Sequence, residues 1–522
     1  MKICILTAGK GTRMGKYGEK INKSLLPIRN KAIITHILDS FSPNDEFVVA
    51  IGCYGQQVKD YLKIAHPDRK IKFVNIENYE NEGSGPGLSL LMCEPLLREP
   101  FYYMPCDCIL RTNLENLQKN NWIGVTKVSV KESSKYCNVA VQNGQVIDIR
   151  DKLESGTEYF AFSAPLYVKD YKIFWDSLKS NKRIQDEHQI SNGIKGLMNK
   201  SNLTAIEIKW ENLGDLEKYQ DALSEDGSFD FSKPDESTYF VNDKVIKFFA
   251  NSKNIKGKIK KFNLNPKLFP QIISMGENFL YYSYFKGDVF YSINDAKAFE
   301  LLLEWLETNL WKPIQIEKNQ MYTLCQEFYF TKTIDRINQF KKKYPNYQLP
   351  CKVNGTYISK LDEILEKIPW AEIFNGSPYF IHGDLNFGNV LYNKNKNEFC
   401  LIDWRQDFAG IIEYGDIYYD LAKLYAGIII NFEHIRQNLF QYNKTQDSVQ
   451  INFHQWDIRN DYIQILEEYI TSKNFNLKKV RTLAGLTYIN MAPLHKTPFD
   501  LLLMSLGSKI INDEIFTNNN TS

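Results

Sequence analysis

Apolar and polar positions along this chain follow two regimes. In the first, short continuous apolar runs stop at glycine-rich or polar turns, as at Lys2–Leu6, 101–106 and 204–209. Runs of that length, bounded by turn residues, predict strands buried on both faces of a sheet. A polar stretch at 224–237, broken by Gly227 and Pro234, reads as a linker. Beyond it, 237–241 and Lys244–Phe249 flank Asn242-Asp243 and predict a hairpin. From Ile293 the period becomes helical, with Ala296, Phe299, Leu302, Leu303, Trp305 and Leu306 on one stripe. Residues 361–370 predict another helix, and 456–515 read as helices with a break at Ala492-Pro493-Leu494-His495. Between them, 389–392 and 399–402 make a second expected hairpin.

Length and composition narrow the class. At 522 residues the chain exceeds a single core, so two domains are expected, 1–225 and 237–522, joined by 226–236. A hydrophobic fraction of 43% is ordinary for a soluble globular protein, and a net charge of +2 offers no footprint for nucleic acid or an anionic membrane. The apolar run in MKICILTAGKG is too short for a signal peptide, and no stretch reaches membrane-spanning length. The nearest candidate, 424–430, is expected as a buried helix end. Nine cysteines include no CxxC pair and no His/Cys cluster, which argues against zinc and for reduced thiols in the cytoplasm. Cys106 and Cys108 flank Asp107 and are expected as small buried fillers.

Two stretches carry chemistry. Immediately after the first strand comes Thr7-Ala8-Gly9-Lys10-Gly11-Thr12-Arg13-Met14-Gly15. A strand followed by a glycine-rich turn presents backbone N–H groups to phosphate, and Arg13 adds a fixed cationic fork. Lys23 follows ten residues later, within reach of the phosphates of a nucleotide over the turn. Asp107 ends the run 101–106, the place for a magnesium ligand at the C-terminal edge of a parallel sheet. Trp210-Glu211-Asn212-Leu213-Gly214-Asp215 supplies a second oxygen cluster, with Asn212 and Asp215 both open as ligands.

The second stretch is 379–405, with His382, Asp384, Asn389 five residues after that aspartate, and Asp403 in Leu-Ile-Asp-Trp. Phosphoryl transfer uses one carboxylate to orient the attacking hydroxyl, and an amide with a second carboxylate to hold magnesium against the nucleotide phosphates. Asp384 on a tight loop, with Asn389 leading into one strand and Asp403 leaving its partner, meets that requirement.

Residues 1–225 resemble the MobA-like nucleotidyltransferases that activate phosphorylated sugars and alcohols, through G-x-G-T-R-M, a downstream lysine and an aspartate. The resemblance implies a Rossmann-like, mostly parallel sheet. Ala8, Gly9, Gly11, Thr12 and Arg13 would hold the triphosphate, and Lys23 would stabilise charge on the α-phosphate. Asp107 would bind magnesium. Gly83, Ser84 and Gly85 belong to a second loop facing base and sugar, and Lys152 would steady the phosphate of the incoming substrate. Asn22 stands where the family usually has proline, and Asn212 where the second metal position is commonly aspartate. A dinucleotide-binding domain fits less well, because the third glycine of G-x-G-x-x-G would fall at Arg13-Met14 and no ribose-binding acid sits at the expected distance.

Residues 237–522 resemble the aminoglycoside phosphotransferase and choline kinase superfamily, whose bilobal α+β fold is protein-kinase-like. The resemblance makes Asp384 catalytic, Asn389 and Asp403 magnesium ligands, and Asp420 a brace for the catalytic loop. Lys247 matches the strand lysine that pairs with the α- and β-phosphates, although no glycine-rich loop precedes it and 250–271 holds no glutamate to pair with it. Residues 282–287 resemble the hinge that meets adenine. Arg405 stands where choline kinases often carry an acid, which implies an anionic or neutral acceptor. The combined expectation is a bifunctional enzyme. ATP would phosphorylate a small alcohol or sugar, and the product would take a nucleotidyl group, expected from CTP, to become a precursor for surface polysaccharide. The alternative is a single-activity nucleotidyltransferase whose degenerate kinase-like domain selects substrate or regulates. Expected partners are magnesium, ATP and CTP or another nucleoside triphosphate, and the small substrate, with no nucleic acid and no membrane insertion. Homo-oligomer formation is left open.

Overall fold

A computed structural model describes residues 1–77, 79, 84–114, 117–151, 159–179, 183–184, 187–224 and 235–516. The chain forms two compact units. The first comprises Met1–Glu225, Ser232–Asn251 and Ile273–Tyr282; the second comprises Asp226–Phe231, Ser252–Ile272 and Ser283–Ser522. Most of the expected linker lies outside the described residues.

The described residues of the first unit form a sheet of nine strands. These are β1 Lys2–Leu6, β2 Glu46–Ile51, β3 Lys70–Asn75, β4 Phe101–Pro105, β5 Asn121–Thr126, β6 Cys137–Gln142, β7 Gln145–Asp151, β8 Tyr159–Val168 and β9 Leu203–Glu207. Their spatial order is β3-β2-β1-β4-β8-β5-β9-β7-β6. The strands from β3 to β4 are parallel neighbours, as are β5 and β9, whereas β8 and β7 run against theirs. The half that carries the glycine-rich turn is therefore parallel, and the sheet becomes mixed beyond β4.

The apolar runs are continuous because both faces of this sheet are covered. Ile3 and Ile5 enter one core with Phe47, Val49 and Met104, while Cys4 faces the other with Val48, Ala50, Phe101 and Tyr103. Helices Ile33–Asp39 and Gly55–Ala65 contribute to the first core, and Tyr171–Leu178 and Ser191–Lys200 to the second.

The first core does not stop at residue 225. Strands β10 Glu236–Val241, β11 Lys244–Phe249, β12 Ile272–Met275 and β13 Phe279–Ser283 make a sheet ordered β10-β11-β13-β12. Tyr239, Val241, Ile246, Phe248 and Phe279 join the same cluster as Tyr61 and Leu62. The Tyr239 hydroxyl donates to the Leu25 carbonyl at 2.7 Å and the Lys244 ammonium to that of Ile64 at 2.9 Å. The hairpin forms where expected, with Asn242 in the left-handed region at φ 55°. An isolated hairpin is marginal in water, and this one buries its apolar side in the first unit. The compact units therefore do not divide at the expected residue 237.

The second unit packs helices around a hairpin, β14 Val390–Asn393 and β15 Glu398–Leu401. With α1 Leu216–Ser224 in the first unit, its helices include α2 Ser252–Leu264, α3 Ala296–Asn309, α4 Lys332–Lys343, α5 Ile417–Ile429, α6 Leu477–Met491 and α7 Phe499–Phe516. The stripe predicted on α3 is buried at Phe299, Leu302, Leu303 and Leu306. The helix expected over 361–370 divides into Leu361–Lys367 and Trp370–Phe374, because Pro369 cannot continue the first. Among the described residues no helix is long and apolar enough to cross a membrane.

Candidate active sites

At the end of β1, the Thr7 N–H and hydroxyl both donate to the Ala50 carbonyl at 2.8 Å, which fixes where the glycine-rich turn begins. Gly11 sits at φ +67° ahead of the helical turn Thr12–Tyr17. No atom lies within 4 Å of where a Cβ on Gly9 would sit, so a ligand can approach the backbone there. Ala8 is buried, whereas Thr12 and Arg13 are exposed. Buried Asn22 donates its amide to the Thr7 and Cys53 carbonyls, both at 2.8 Å, and accepts the Ser24 N–H at 3.0 Å. It sets by hydrogen bonds the chain path that a proline would set by its fixed φ.

That path brings Lys23 Nζ to 2.5 Å from Asp107 Oδ2. Burial disfavours charge on both groups, but their mutual attraction outweighs it. The Lys23 pKa is raised and that of Asp107 lowered. Burial also pushes the neighbouring Cys106 thiol up to about 12, in keeping with a filler role.

Asn212 ends the strand Trp210–Asn212, which pairs antiparallel with Cys108–Leu110. From the point where a Cβ on Gly214 would sit, Asn212 Oδ1 is 3.0 Å away and Asp107 Oδ2 3.2 Å away. Two oxygens gathered this way suit magnesium, which takes one or two protein ligands and keeps several waters. Asp215 instead accepts the Lys218 N–H at 3.1 Å, capping α1.

Asn212 also donates to the Tyr136 hydroxyl at 2.7 Å, as does the Lys218 ammonium at 2.6 Å. Asn212 and Tyr136 border a cavity of about 620 Å³ lined also by Lys127, Glu207, Lys209 and Trp210, among others. Ser84 and Gly85 precede the helix Pro86–Met92. Gly85 has φ +146°, and a Cβ there would fall 2.8 Å from the His188 carbonyl oxygen. Gly83 and Lys152 lie outside the described residues.

In the second unit, the hairpin register gathers the predicted residues. The Ile402 N–H donates to the Asn389 carbonyl at 2.9 Å, which holds Asn389 and Asp403 at one end of β14 and β15. Asp403 adopts φ 57°. Asn389 Nδ2 donates to the Asp384 carbonyl at 2.8 Å and to Oδ2 at 3.3 Å, so its side-chain carbonyl is the atom suited to a metal. Asp384 Oδ1 meets Lys423 Nζ at 2.6 Å. Burial opposes the Lys423 charge, yet Asp384 raises its pKa above the ordinary value.

The loop that presents Asp384 is fixed from beneath. His382 is fully buried, and burial takes its pKa down to about 3. Its Nε2–H donates to the Ile402 carbonyl at 2.9 Å, which leaves Nδ1 to accept the Asp384 N–H at 3.2 Å. Asp420 accepts the N–H groups of His382 and Gly383, both at 2.7 Å, and the Trp311 indole N–H at 3.2 Å. Burial raises the Asp420 pKa to about 6 against those bonds. Lys261, on α2, donates to the carbonyls of Arg405 at 2.9 Å and His382 at 3.3 Å. Burial lowers its pKa to about 7. Arg405 donates from Nε to the Asp407 carbonyl at 2.9 Å. Lys247 lies on β11 opposite Thr238, in the first unit, whereas Asp384, Asn389, Asp403 and Arg405 belong to the second.

Lys261, Tyr136, Lys127 and Lys209 had no signal in the sequence pattern, and Lys423 was not singled out. For Lys423 a cue existed, since it follows Asp420 by three residues on a helix and so shares a helical face with it.

Residues 3–119 match the family model of the MobA-like NTP transferase domain, and residues 335–451 that of the Phosphotransferase enzyme family. Bifunctional protein GlmU of Methanocaldococcus jannaschii is 27% identical over 218 residues, covering 41% of this chain and 51% of that protein. UTP–glucose-1-phosphate uridylyltransferase AglF of Haloferax volcanii is 29% identical over 166 residues, 30% of this chain and 66% of that one. A probable glucose-1-phosphate cytidylyltransferase of Bacillus subtilis is 38% identical over 64 residues, 12% of this chain and 25% of that one. The chain spans about half the length of the GlmU relatives it matches. Both matched families are transferases.

Proposed function

We propose that this chain, which joins a MobA-like NTP transferase domain to a phosphotransferase-family domain, phosphorylates a small alcohol or sugar with ATP and then nucleotidylates the product. One observation carries the reading. A single chain builds two separate oxygen clusters at strand ends, Asp107 with Asn212 and Asp384 with Asn389 and Asp403.

In the phosphotransferase site, Asp384 orients the acceptor hydroxyl and takes its proton as the oxygen attacks the γ-phosphorus, with ADP leaving. Lys423 holds the carboxylate in place from Oδ1. In the nucleotidyltransferase site, a phosphate monoester is already nucleophilic near neutral pH, so the residues mainly bind and neutralise. The glycine-rich turn and Arg13 hold the triphosphate, and Lys23 faces the α-phosphate as pyrophosphate departs. The phosphorylated acceptor occupies the cavity beside Asn212, between Lys127 and Lys209. Asp107 and Asn212 in one site, and Asn389 and Asp403 in the other, would hold magnesium. When bound, such an ion would offset the negative charge of the phosphates. Asn212 is preferred over Asp215 because it sits beside Asp107, whereas Asp215 caps α1.

CTP is the favoured nucleotide for the second step, supported by the cytidylyltransferase among the relatives. The product is a nucleotide-activated precursor of the kind consumed in surface polysaccharide assembly, made in the cytoplasm where both triphosphates are held.

The test supplies the full chain with magnesium, ATP, a panel of alcohols and sugars, and each of the four common nucleoside triphosphates. Pyrophosphate release from an unphosphorylated acceptor, dependent on ATP, is the expected result. Release only with compounds phosphorylated beforehand would overturn the kinase half. It would favour the single-activity nucleotidyltransferase, a reading supported by the lack of a glycine-rich loop before β11.

A further inference from the structure

A π-helical turn, Gln326–Thr331, lies between the helix Lys318–Cys325 and α4. Such turns are uncommon and concentrate at functional sites. This one buries Phe328 and Tyr329 and leads directly into Lys332. Phe328 stacks on Phe408 with ring centroids 4.1 Å apart and meets Tyr419 edge-on at 4.8 Å. Two cations share that aromatic shelf. Lys332 Nζ lies 4.1 Å from the Phe328 centroid and 5.6 Å from that of Tyr419, and the Arg405 guanidinium lies 5.0 Å from Phe328. Tyr419 is one helical turn before Lys423, the partner of Asp384.

Among the described residues these cations have no carboxylate in ion-pair contact. Among the described residues, Lys332 makes no hydrogen bond or ion pair. Arg405, among the described residues, donates its guanidinium only to the Asp407 carbonyl, and nearby Arg336 only to the Gln339 side chain. Burial first, then repulsion from Arg405, Lys423 and Arg336, drives the Lys332 pKa well below its ordinary range, with Asp384 pulling the other way. Cations crowded together with so little counter-charge are costly unless a ligand supplies the anion. An aromatic shelf keeps the side chains extended, and the planar Arg405 fork suits an oxyacid.

We infer that Lys332 and Arg405 bind an anionic oxyacid group, carboxylate or phosphate, on the acceptor alcohol of the phosphotransferase site. The acceptor is thus an acidic hydroxy compound, the opposite of a choline-like cation. This rests on the reading of Asp384 as the residue that orients the acceptor hydroxyl.

The test measures ADP formation by the full chain with glycerol, choline, glycerate and glycerol phosphate. Glycerate or glycerol phosphate should exceed glycerol and choline at least tenfold in kcat/KM, and whichever leads identifies the oxyacid. Lys332→Met and Arg405→Met should raise the acceptor KM at least tenfold and leave the ATP KM unchanged, while Lys332→Arg keeps the preference. Equal or better use of glycerol or choline overturns the proposal. So does a rise in ATP KM alone, which would assign these cations to the nucleotide. If the wild type phosphorylates none of the four, the kinase reading is decided by the wider acceptor panel, and calorimetry with the same four compounds decides the anion site. Acid-selective binding weakened by Lys332→Met sustains the anion site, and no binding of either acid overturns it.

Discussion

In the first unit Asp107 has its counter-ion in contact, with Lys23 closing on it at 2.5 Å from the loop that Asn22 ties down. In the second unit Asp384 has Lys423 at 2.6 Å, but Lys332, Arg336 and Arg405 stand nearby without carboxylate partners among the described residues. The first pair is balanced within itself, the Lys23 ammonium against the Asp107 carboxylate. Among the described residues the second cluster keeps an excess of positive charge around one carboxylate. Similar oxygen donors thus sit in different charge environments, and the surrounding cations distinguish them.

The most forceful way to break this comparison is to disable each cluster in turn. Asp384→Asn should lower phosphorylation of the acceptor by about a thousandfold, a loss typical of removing a positioned base. Pyrophosphate release from a phosphorylated acceptor should persist. Asp107→Asn should do the reverse, abolishing pyrophosphate release while ADP formation continues. Loss of both activities in either variant would mean that the clusters do not work as separate sites.

A smaller effect probes Lys23. Lys23→Met removes a charge from the α-phosphate and should slow pyrophosphate release by about a hundredfold, the scale of losing one electrostatic stabiliser. ADP formation should not change. A variant that releases pyrophosphate at the wild-type rate would make the contact with Asp107 purely structural.

Stability against pH isolates the second site. The His382 pKa is about 3 in the folded chain because of burial, against about 6.5 when unfolded. As pH falls, the unfolded chain takes the proton first. The contribution of His382 is therefore complete above about pH 6.5 and drains as pH drops toward 3, by up to about 1.4 kcal/mol per pH unit. Asp420 opposes it. Its pKa is raised by burial to about 6, so the folded chain holds that proton more tightly between about 4 and 6. The two slopes partly cancel in the wild type. Chemical denaturation of wild type and His382→Gln at pH 7 and pH 5 separates them, because the stability gap between the two should narrow at the lower pH. A gap independent of pH would show that His382 is not held neutral.

Local signals explain what the sequence made legible. The glycine-rich turn, Asp107 and the 382–403 hairpin each lie within one strand–turn unit, where spacing alone sets the geometry. Tyr136 and Lys218 meet although they are 82 positions apart in the chain, and no period predicts that contact. Lys261 sits in Lys-Asn-Ile-Lys-Gly-Lys-Ile-Lys-Lys, which reads as a solvated lysine face until the fold buries that one ammonium against the His382 and Arg405 carbonyls. The unit boundary failed for a similar reason. The polar stretch at 224–237 announces a linker, but nothing in it says that Tyr239 and Phe248 will pack beside Tyr61.

The finest contrast lies between Asn212 and Asp215, three residues apart and both candidates for one metal. Asp215 accepts the Lys218 N–H at the first turn of α1, so Asp215→Ala should cost about 1 kcal/mol of stability, as a lost helix cap does. Pyrophosphate release at saturating magnesium should stay near wild type. Asn212→Ala removes the oxygen beside Asp107 and the donor to Tyr136. It should raise the magnesium concentration needed for half-maximal pyrophosphate release about tenfold, the scale seen when a group supporting a metal is removed. Magnesium titrations paired with thermal melts of both variants read the two effects separately. If Asp215→Ala shifts the magnesium requirement and Asn212→Ala does not, the assignment reverses, and the cap on α1 opens when the metal binds.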